Sequence, residues 1–203
     1  MTDNFRQMVR EFNITKPVML HHDDLQQLVL NDDHVLIVTP QDTENFELVQ
    51  LLIRAKLAEQ DPLLAVFFFQ ERYDPLKAER FSDLCSPLQH AWIYRYLRQH
   101  HRAIYDAQIE DVKAMLEILL SSPEAPDLYS VHGQVTLNLF GIMLSDPASE
   151  INITHPAEWL KYFEVLKSYA PCEPDPCLYC ALADTMGMHM HVYDGTLIEH
   201  AIM

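Results

Sequence analysis

Glycine is scarce in this chain, with only four glycines among 203 residues. Loops that cradle phosphates, turns that bind oxyanions and the sharp turns that carry nucleophilic serines all depend on glycine. The motifs G-x-S-x-G, GxxxxGK[ST], GxGxxG and HExxH are also missing from the sequence. We therefore predict no cofactor, and the composition counts against nucleotide binding and against many classes of hydrolase.

Basic residues are few, since 14 Lys and Arg stand against 30 Asp and Glu and give a formal net charge of −16. Nucleic acids and anionic membrane surfaces repel such a chain, because phosphate binding requires clustered Lys and Arg. Long apolar runs are lacking too, and the run at 63–69 has only the length of a strand. We expect no nucleic-acid binding and no membrane insertion, and we predict that the partner is another protein.

Four cysteines occur in a chain that is large enough to fold without disulfide bonds. The segment that follows Met1 is polar and lacks the features of a secretory leader. Both observations favour a reduced, cytoplasmic protein.

The hydrophobic pattern predicts an α+β (mixed α/β) fold in one domain, 1–203, with a possible subdomain break at the SSPEAP segment, 121–126. We expect helices on a mixed sheet. The early part should form a strand–helix–strand unit from strands at 34–39 and 63–69, joined by a helix that begins at Thr39-Pro40 and ends near Glu59. Further strands are predicted at 129–132 and 135–144, and helix starts at Asp74-Pro75 and Ser86-Pro87.

The sequence near the C-terminus predicts a β-hairpin, because Asp194-Gly195 suits a type I′ turn and Gly187 suits the end of a helix. In that register His191 faces Ile198, Tyr193 faces Thr196 and His189 faces His200. The three histidines then share one face. That face can be a partner-binding and pH-sensitive surface, or a metal site formed by His189, His191 and His200.

Cysteines offer a second way to bind metal, since Cys177 and Cys180 have C-x2-C spacing and lie close to His189 and His191 in the sequence. Thiolate and imidazole together suit tetrahedral zinc. The segment CLYCALADTMG nevertheless has the pattern of a helix that begins after Asp175-Pro176, which favours buried, inert thiols.

The stretch PCLYCALADTMGMHMHVYD resembles the late helix and strand of ovarian-tumour-type cysteine proteases. That resemblance implies a cysteine nucleophile at a helix start, for which Asp83-Leu84-Cys85 is the matching stretch, although it lacks the glycine of the family's motif. The histidine base would be His200. A papain-like cysteine hydrolase that uses Cys85, or an inactive relative of one, is therefore the alternative function.

The profile of a small, acidic, glycine-poor chain resembles the chaperone and adaptor proteins of bacterial secretion systems, including type IVB adaptors of the LvgA type. The resemblance implies a non-enzymatic virulence adaptor that holds an effector or a segment of a coupling protein. We predict two contact elements, the amphipathic helix at 3–13 and the terminal hairpin. Their contact residues are Phe5, Met8, Phe12, His189, His191, Tyr193, Ile198 and His200.

Overall fold

The computed structural model describes residues 3–121, 127–146, 148 and 157–199. It confirms an α+β fold with helices and small mixed sheets. Backbone contacts divide the chain into two compact units, Met1–Phe68 and Phe69–Met203. Residues 122–126, where we predicted a subdomain break, lie outside the described residues. No helix of the described ranges is both long and apolar enough to cross a bilayer.

The first unit contains a helix, a three-stranded sheet and a second helix. Helix α1 spans Asp3–Glu11, and the strands are β1 (Val18–His22), β2 (Gln27–Leu30) and β3 (Val35–Thr39). β3 is the central strand, parallel to β1 and antiparallel to β2, and its alternate residues Val35 and Ile37 are buried. Helix α2 (Asn45–Ala58) contacts β2.

The predicted strand–helix–strand unit is wrong in its second strand. Residues 62–64 form one turn of 3-10 helix, because Pro62 favours a helical φ and the Asp61 carboxylate accepts the Leu63 N–H at 2.9 Å. The apolar residues 63–65 are buried without joining a sheet, and β3 takes β1 as its parallel partner instead. Helix α2 also begins later than predicted, since Thr39 ends β3.

The second unit is arranged around helix α3, Pro75–His100. Within the described residues, this helix contacts α4 (Arg102–Leu120), α5 (Val131–Leu144), α6 (Ala157–Tyr169) and α7 (Pro176–Asp184). Its predicted start is confirmed, with the Asp74 carboxylate accepting the Leu76 N–H at 3.0 Å. The helix start predicted at Ser86-Pro87 is wrong, because α3 continues through Pro87. Residues on both sides of this proline are buried, and that burial outweighs the single backbone hydrogen bond that proline cannot donate.

The strands predicted at 129–132 and 135–144 are also wrong, because this segment forms α5. Ser130 begins the helix, and its hydroxyl accepts the Gly133 N–H at 3.0 Å. Most residues of α5 are buried. Its apolar residues therefore lie on most sides of the helix and show no clear helical period.

Arg95 of α3 holds the C-terminal end of α6. Its Nη1 donates to the carbonyls of Ala170, Pro171 and Cys172 at 3.3, 2.8 and 2.6 Å. The positive charge of Arg95 also interacts favourably with the negative end of the helix dipole.

We expect Arg95→Met to lower the free energy of unfolding by about 2 kcal/mol in urea denaturation, while Arg72→Met at an exposed site leaves it unchanged. Equal stability of the two variants would contradict this role.

Candidate functional site

A tight turn after the end of α7 connects this helix to the terminal hairpin. Gly187 has a φ of +77°, and its N–H donates to the Asp184 carbonyl at 3.0 Å. The next N–H, of Met188, donates to the Ala183 carbonyl at 3.1 Å. This pair of bonds is the Schellman motif, which requires a left-handed residue and so favours glycine. The predicted role of Gly187 is confirmed.

The hairpin has the predicted turn and register. Strands β4 (Met190–Tyr193) and β5 (Thr196–Glu199) are antiparallel, and His191 pairs with Ile198 and Tyr193 with Thr196. The turn residues Asp194 and Gly195 have φ values of 47° and 68°. Positive φ at both residues is what a type I′ turn requires.

One face of the hairpin is anchored in the second unit. Met190 and Leu197 on this face are buried, and the Tyr73 hydroxyl donates to the Met190 sulfur at 2.9 Å. Lys77 of α3 forms an ion pair with both carboxylate oxygens of Glu199, at 2.7 and 2.9 Å. The hairpin is therefore fixed to the start of α3.

The opposite face of the hairpin carries the predicted contact residues. His191 and Ile198 are half-buried, while Tyr193 is 70% exposed. The Nδ1 of His189 lies 3.3 Å from the Asp184 carboxylate, just outside the strand. His200 lies outside the described residues, so the three-histidine arrangement stays a prediction.

The metal alternatives find little support in the part of the chain that the structure describes. No three His, Cys, Asp or Glu side chains there are grouped so that they could hold an ion. Cys177 is exposed in the first turn of α7, while Cys180 is buried one turn later. Both cysteines lie on a helix, as the pattern CLYCALADTMG predicts.

Cys85, the nucleophile of the alternative hydrolase function, lies in the core of the second unit. Its thiol is fully buried and donates to the Tyr179 carbonyl at 3.6 Å. Burial, together with the nearby Cys180, raises the pKa of this thiol well above its ordinary value. A nucleophilic cysteine needs access to substrate and a thiolate at neutral pH. The environment of Cys85 is that of a structural core residue.

The contact residues predicted on the N-terminal helix are also buried. Phe5 and Met8 lie on one face of α1, Phe12 directly follows this helix, and all three are almost fully removed from solvent. Their apolar surface stabilises the folded chain and is not offered to a partner in this conformation. The contact role that the sequence assigned to them is therefore not supported.

An apolar surface that sequence reasoning missed lies on α4 and α5, and we call it the α4–α5 patch. It consists of Met115 and Ile118 on α4, which are 50% and 71% exposed, and Val131 and Val135 on α5, which are 83% and 39% exposed. The two helices contact each other.

The pairing of α4 and α5 places these four exposed residues at matching heights along the two helices. The Ser145 hydroxyl, just after α5, donates to the Tyr105 hydroxyl near the start of α4 at 3.3 Å, so the helices run antiparallel. With equal rise per residue, Met115 then comes level with Val135, and Ile118 with the turn that holds Val131.

A signal for half of the α4–α5 patch is present in the sequence. The stripe Ile109, Val112 and Leu116 is buried as its helical spacing predicts, and Met115 and Ile118 fall off that stripe. Val131 and Val135 could not be assigned to a helix face from the sequence, because the pattern of their segment predicts strands.

Comparison of the chain with models of protein families, with curated proteins and with solved structures gives no match. The likenesses to ovarian-tumour-type proteases and to secretion adaptors therefore stay predictions.

Proposed function

We propose that the protein is a non-enzymatic adaptor that holds a basic, amphipathic segment of another protein on the α4–α5 patch. The observation that carries this proposal is that two contacting helices expose apolar residues at matching heights, Met115 and Ile118 on α4 and Val131 and Val135 on α5. Single exposed apolar residues are common on soluble proteins, whereas grouped ones are typical of interaction sites.

The charge around the patch favours a basic partner. Glu110, Asp111 and Glu117 are exposed on α4, on the same helix as Met115 and Ile118. Lys113 forms an ion pair with Glu110 at 2.7 Å, so one of these carboxylates is already neutralised. Lys and Arg of a bound segment would meet Asp111 and Glu117 while its apolar side chains cover the patch.

Methionine suits this role because its flexible thioether adapts to differently shaped partners. We also propose the open face of the hairpin, where Tyr193 is exposed, as a second contact element. In this proposal the protein works in the cytoplasm, and the bound segment belongs to a secretion effector or to a coupling protein.

Recovery of a partner by tagged variants tests the proposal. We expect wild type to recover a partner from the native source, and the double variant Met115→Ser/Ile118→Ser to lose most of it, because two exposed anchors are removed. Leu160→Ser is the matched control, since Leu160 is an exposed apolar residue on α6, 40% accessible. All three proteins should melt at similar temperatures, because exposed side chains contribute little to stability.

Equal recovery of the same partner by wild type and the double variant would overturn the α4–α5 patch as the binding site. Loss of the partner in Leu160→Ser as well would mean that binding reflects general surface hydrophobicity. A partner without a basic segment would contradict the charge argument.

A further inference from the structure

Two cysteines share the first two turns of α7. Asp175 caps this helix, and its carboxylate accepts the Cys177 N–H at 2.9 Å. Cys177 is the second helical residue, and Cys180 follows three residues later. In a helix such residues have Cα atoms about 5 Å apart, from the rise and radius of the helix. Disulfide bonds require Cα separations of roughly 4.4–6.8 Å.

The two thiols differ in their surroundings. Cys177 is exposed, whereas Cys180 is buried beside the core of the second unit. Burial raises the pKa of Cys180 to about 12, and the nearby Cys177 contributes to that rise. Cys177 can therefore meet an external reagent, whereas the core shields Cys180 from it.

We infer that Cys177 and Cys180 are a dithiol that is oxidised by exchange with the disulfide of another molecule. Cys177 is the attacking residue because it is exposed, and Cys180 is the resolving residue because it lies one turn further into the core. This property is independent of the adaptor role.

The exchange balances in two steps. The Cys177 thiolate attacks one sulfur of R–S–S–R, which forms a mixed disulfide and releases RS⁻ with the electron pair of the broken bond. Cys180 then gives its proton to solvent and attacks the Cys177 sulfur, which closes the intramolecular disulfide, breaks the bond between Cys177 and the reagent sulfur, and releases the second RS⁻. The two cysteines together lose two electrons, and R–S–S–R becomes two RSH once the released thiolates take up protons.

The other two cysteines lack this arrangement. Cys172 is exposed in the loop before α7, where its thiol donates to the Ser168 carbonyl at 3.5 Å. Cys85 is fully buried, so a disulfide reagent cannot reach it in the folded protein. Cys172 is therefore a matched control for exposure, without a second thiol one helical turn away on α7.

The test uses the full chain and bis(2-hydroxyethyl) disulfide, a neutral reagent that the net charge of −16 does not repel. After the reaction is stopped with an alkylating reagent, mass spectrometry should show wild type and Cys172→Ser losing two hydrogens without gaining a reagent group at 177 or 180. Cys180→Ala should instead accumulate the mixed disulfide on Cys177. Cys177→Ser should form neither product.

Failure of Cys172→Ser to form the intramolecular bond would overturn the inference. So would a mixed disulfide on Cys177 that is as stable in wild type as in Cys180→Ala, because Cys180 would then not resolve it. If Cys180→Ala were poorly folded, wild type and Cys172→Ser would still decide the question.

Discussion

Replacement of Gly141 by alanine is expected to lower the free energy of unfolding by about 3 kcal/mol. Helix propensity alone predicts the opposite sign, a gain of about 1 kcal/mol. The steric destabilisation should outweigh this gain, because Gly141 of α5 lies directly against the backbone of α3. A Cβ at this position would meet the Pro87 carbonyl oxygen, and it would lie 2.7 Å from the Pro87 carbonyl carbon and 2.9 Å from its Cα.

Urea denaturation of the purified variants measures this effect. Val135→Ala is the control on the same helix, since Val135 is partly exposed and its replacement should change stability by less than about 1 kcal/mol. Backbone atoms cannot rotate away as a side chain can, so α3 and α5 would have to separate. A Gly141→Ala variant as stable as wild type would show that the helices do not cross closely at Pro87.

Substitution of Glu59 by glutamine is expected to destabilise the protein by roughly 2 kcal/mol at neutral pH. The Glu59 side chain is only 13% exposed at the end of α2. Its carboxylate accepts hydrogen bonds from the backbone and hydroxyl of Thr15, the backbone N–H of Lys16 and the Lys56 ammonium. Lys56 also donates to the Asn13 carbonyl at 2.7 Å. Glu59 and Lys56 together therefore hold the loop between α1 and β1 against the end of α2.

The effect of Glu59 should depend on pH. Desolvation raises the pKa of this carboxyl, but the hydrogen bonds outweigh it and lower the pKa from 4.5 to about 2. Because the folded pKa lies below the unfolded one, the stabilisation is complete above the unfolded value and is lost as the pH falls from about 4.5 to about 2. The stability difference between wild type and Glu59→Gln should therefore shrink across that interval. A difference that stays constant from neutral pH to pH 2 would contradict this assignment.

Elements whose ends are set by local chemistry could be predicted from the sequence. Asp74 and Asp175 each precede a proline and cap a helix with their carboxylates, as that pattern indicates. Gly187 and the pair Asp194-Gly195 have the positive φ values that fix a helix end and a hairpin turn. Few residues other than glycine, asparagine and aspartate adopt such angles, so their positions are informative.

Elements set by tertiary burial could not be predicted. The buried residues of α5 lie on most of its sides, and its exposed residues include the apolar Val131 and Val135, so this segment lacks the period that separates helix from strand. The apolar run at 63–69 also lacks such a period, and it predicts a strand where residues 62–64 form a turn of 3-10 helix. Pro87 has the pattern of a helix start, and only its buried neighbours on α3 show why the helix continues.

The surfaces that we consider as candidate contact sites differ in the same way in how far the sequence predicts them. The open face of the hairpin follows from alternation along two short strands, so His191, Tyr193 and Ile198 could be placed on one face. The α4–α5 patch depends on how two helices pair in space, which the sequence does not encode locally. Phe5, Met8 and Phe12 have helical spacing and are all buried, but an amphipathic face has the same spacing whether it binds its own core or a partner.

Site-specific photo-crosslinking tests the central claim most directly. A photoreactive amino acid placed at Ile118 on α4, or at Leu160 on α6 as the control, reports which exposed helix face touches a partner in the native source. The adaptor proposal predicts one dominant crosslinked protein from position 118, joined through a segment rich in Lys and Arg, and little or none from position 160. A crosslink from position 160 alone, or no crosslinked protein from position 118, would contradict it.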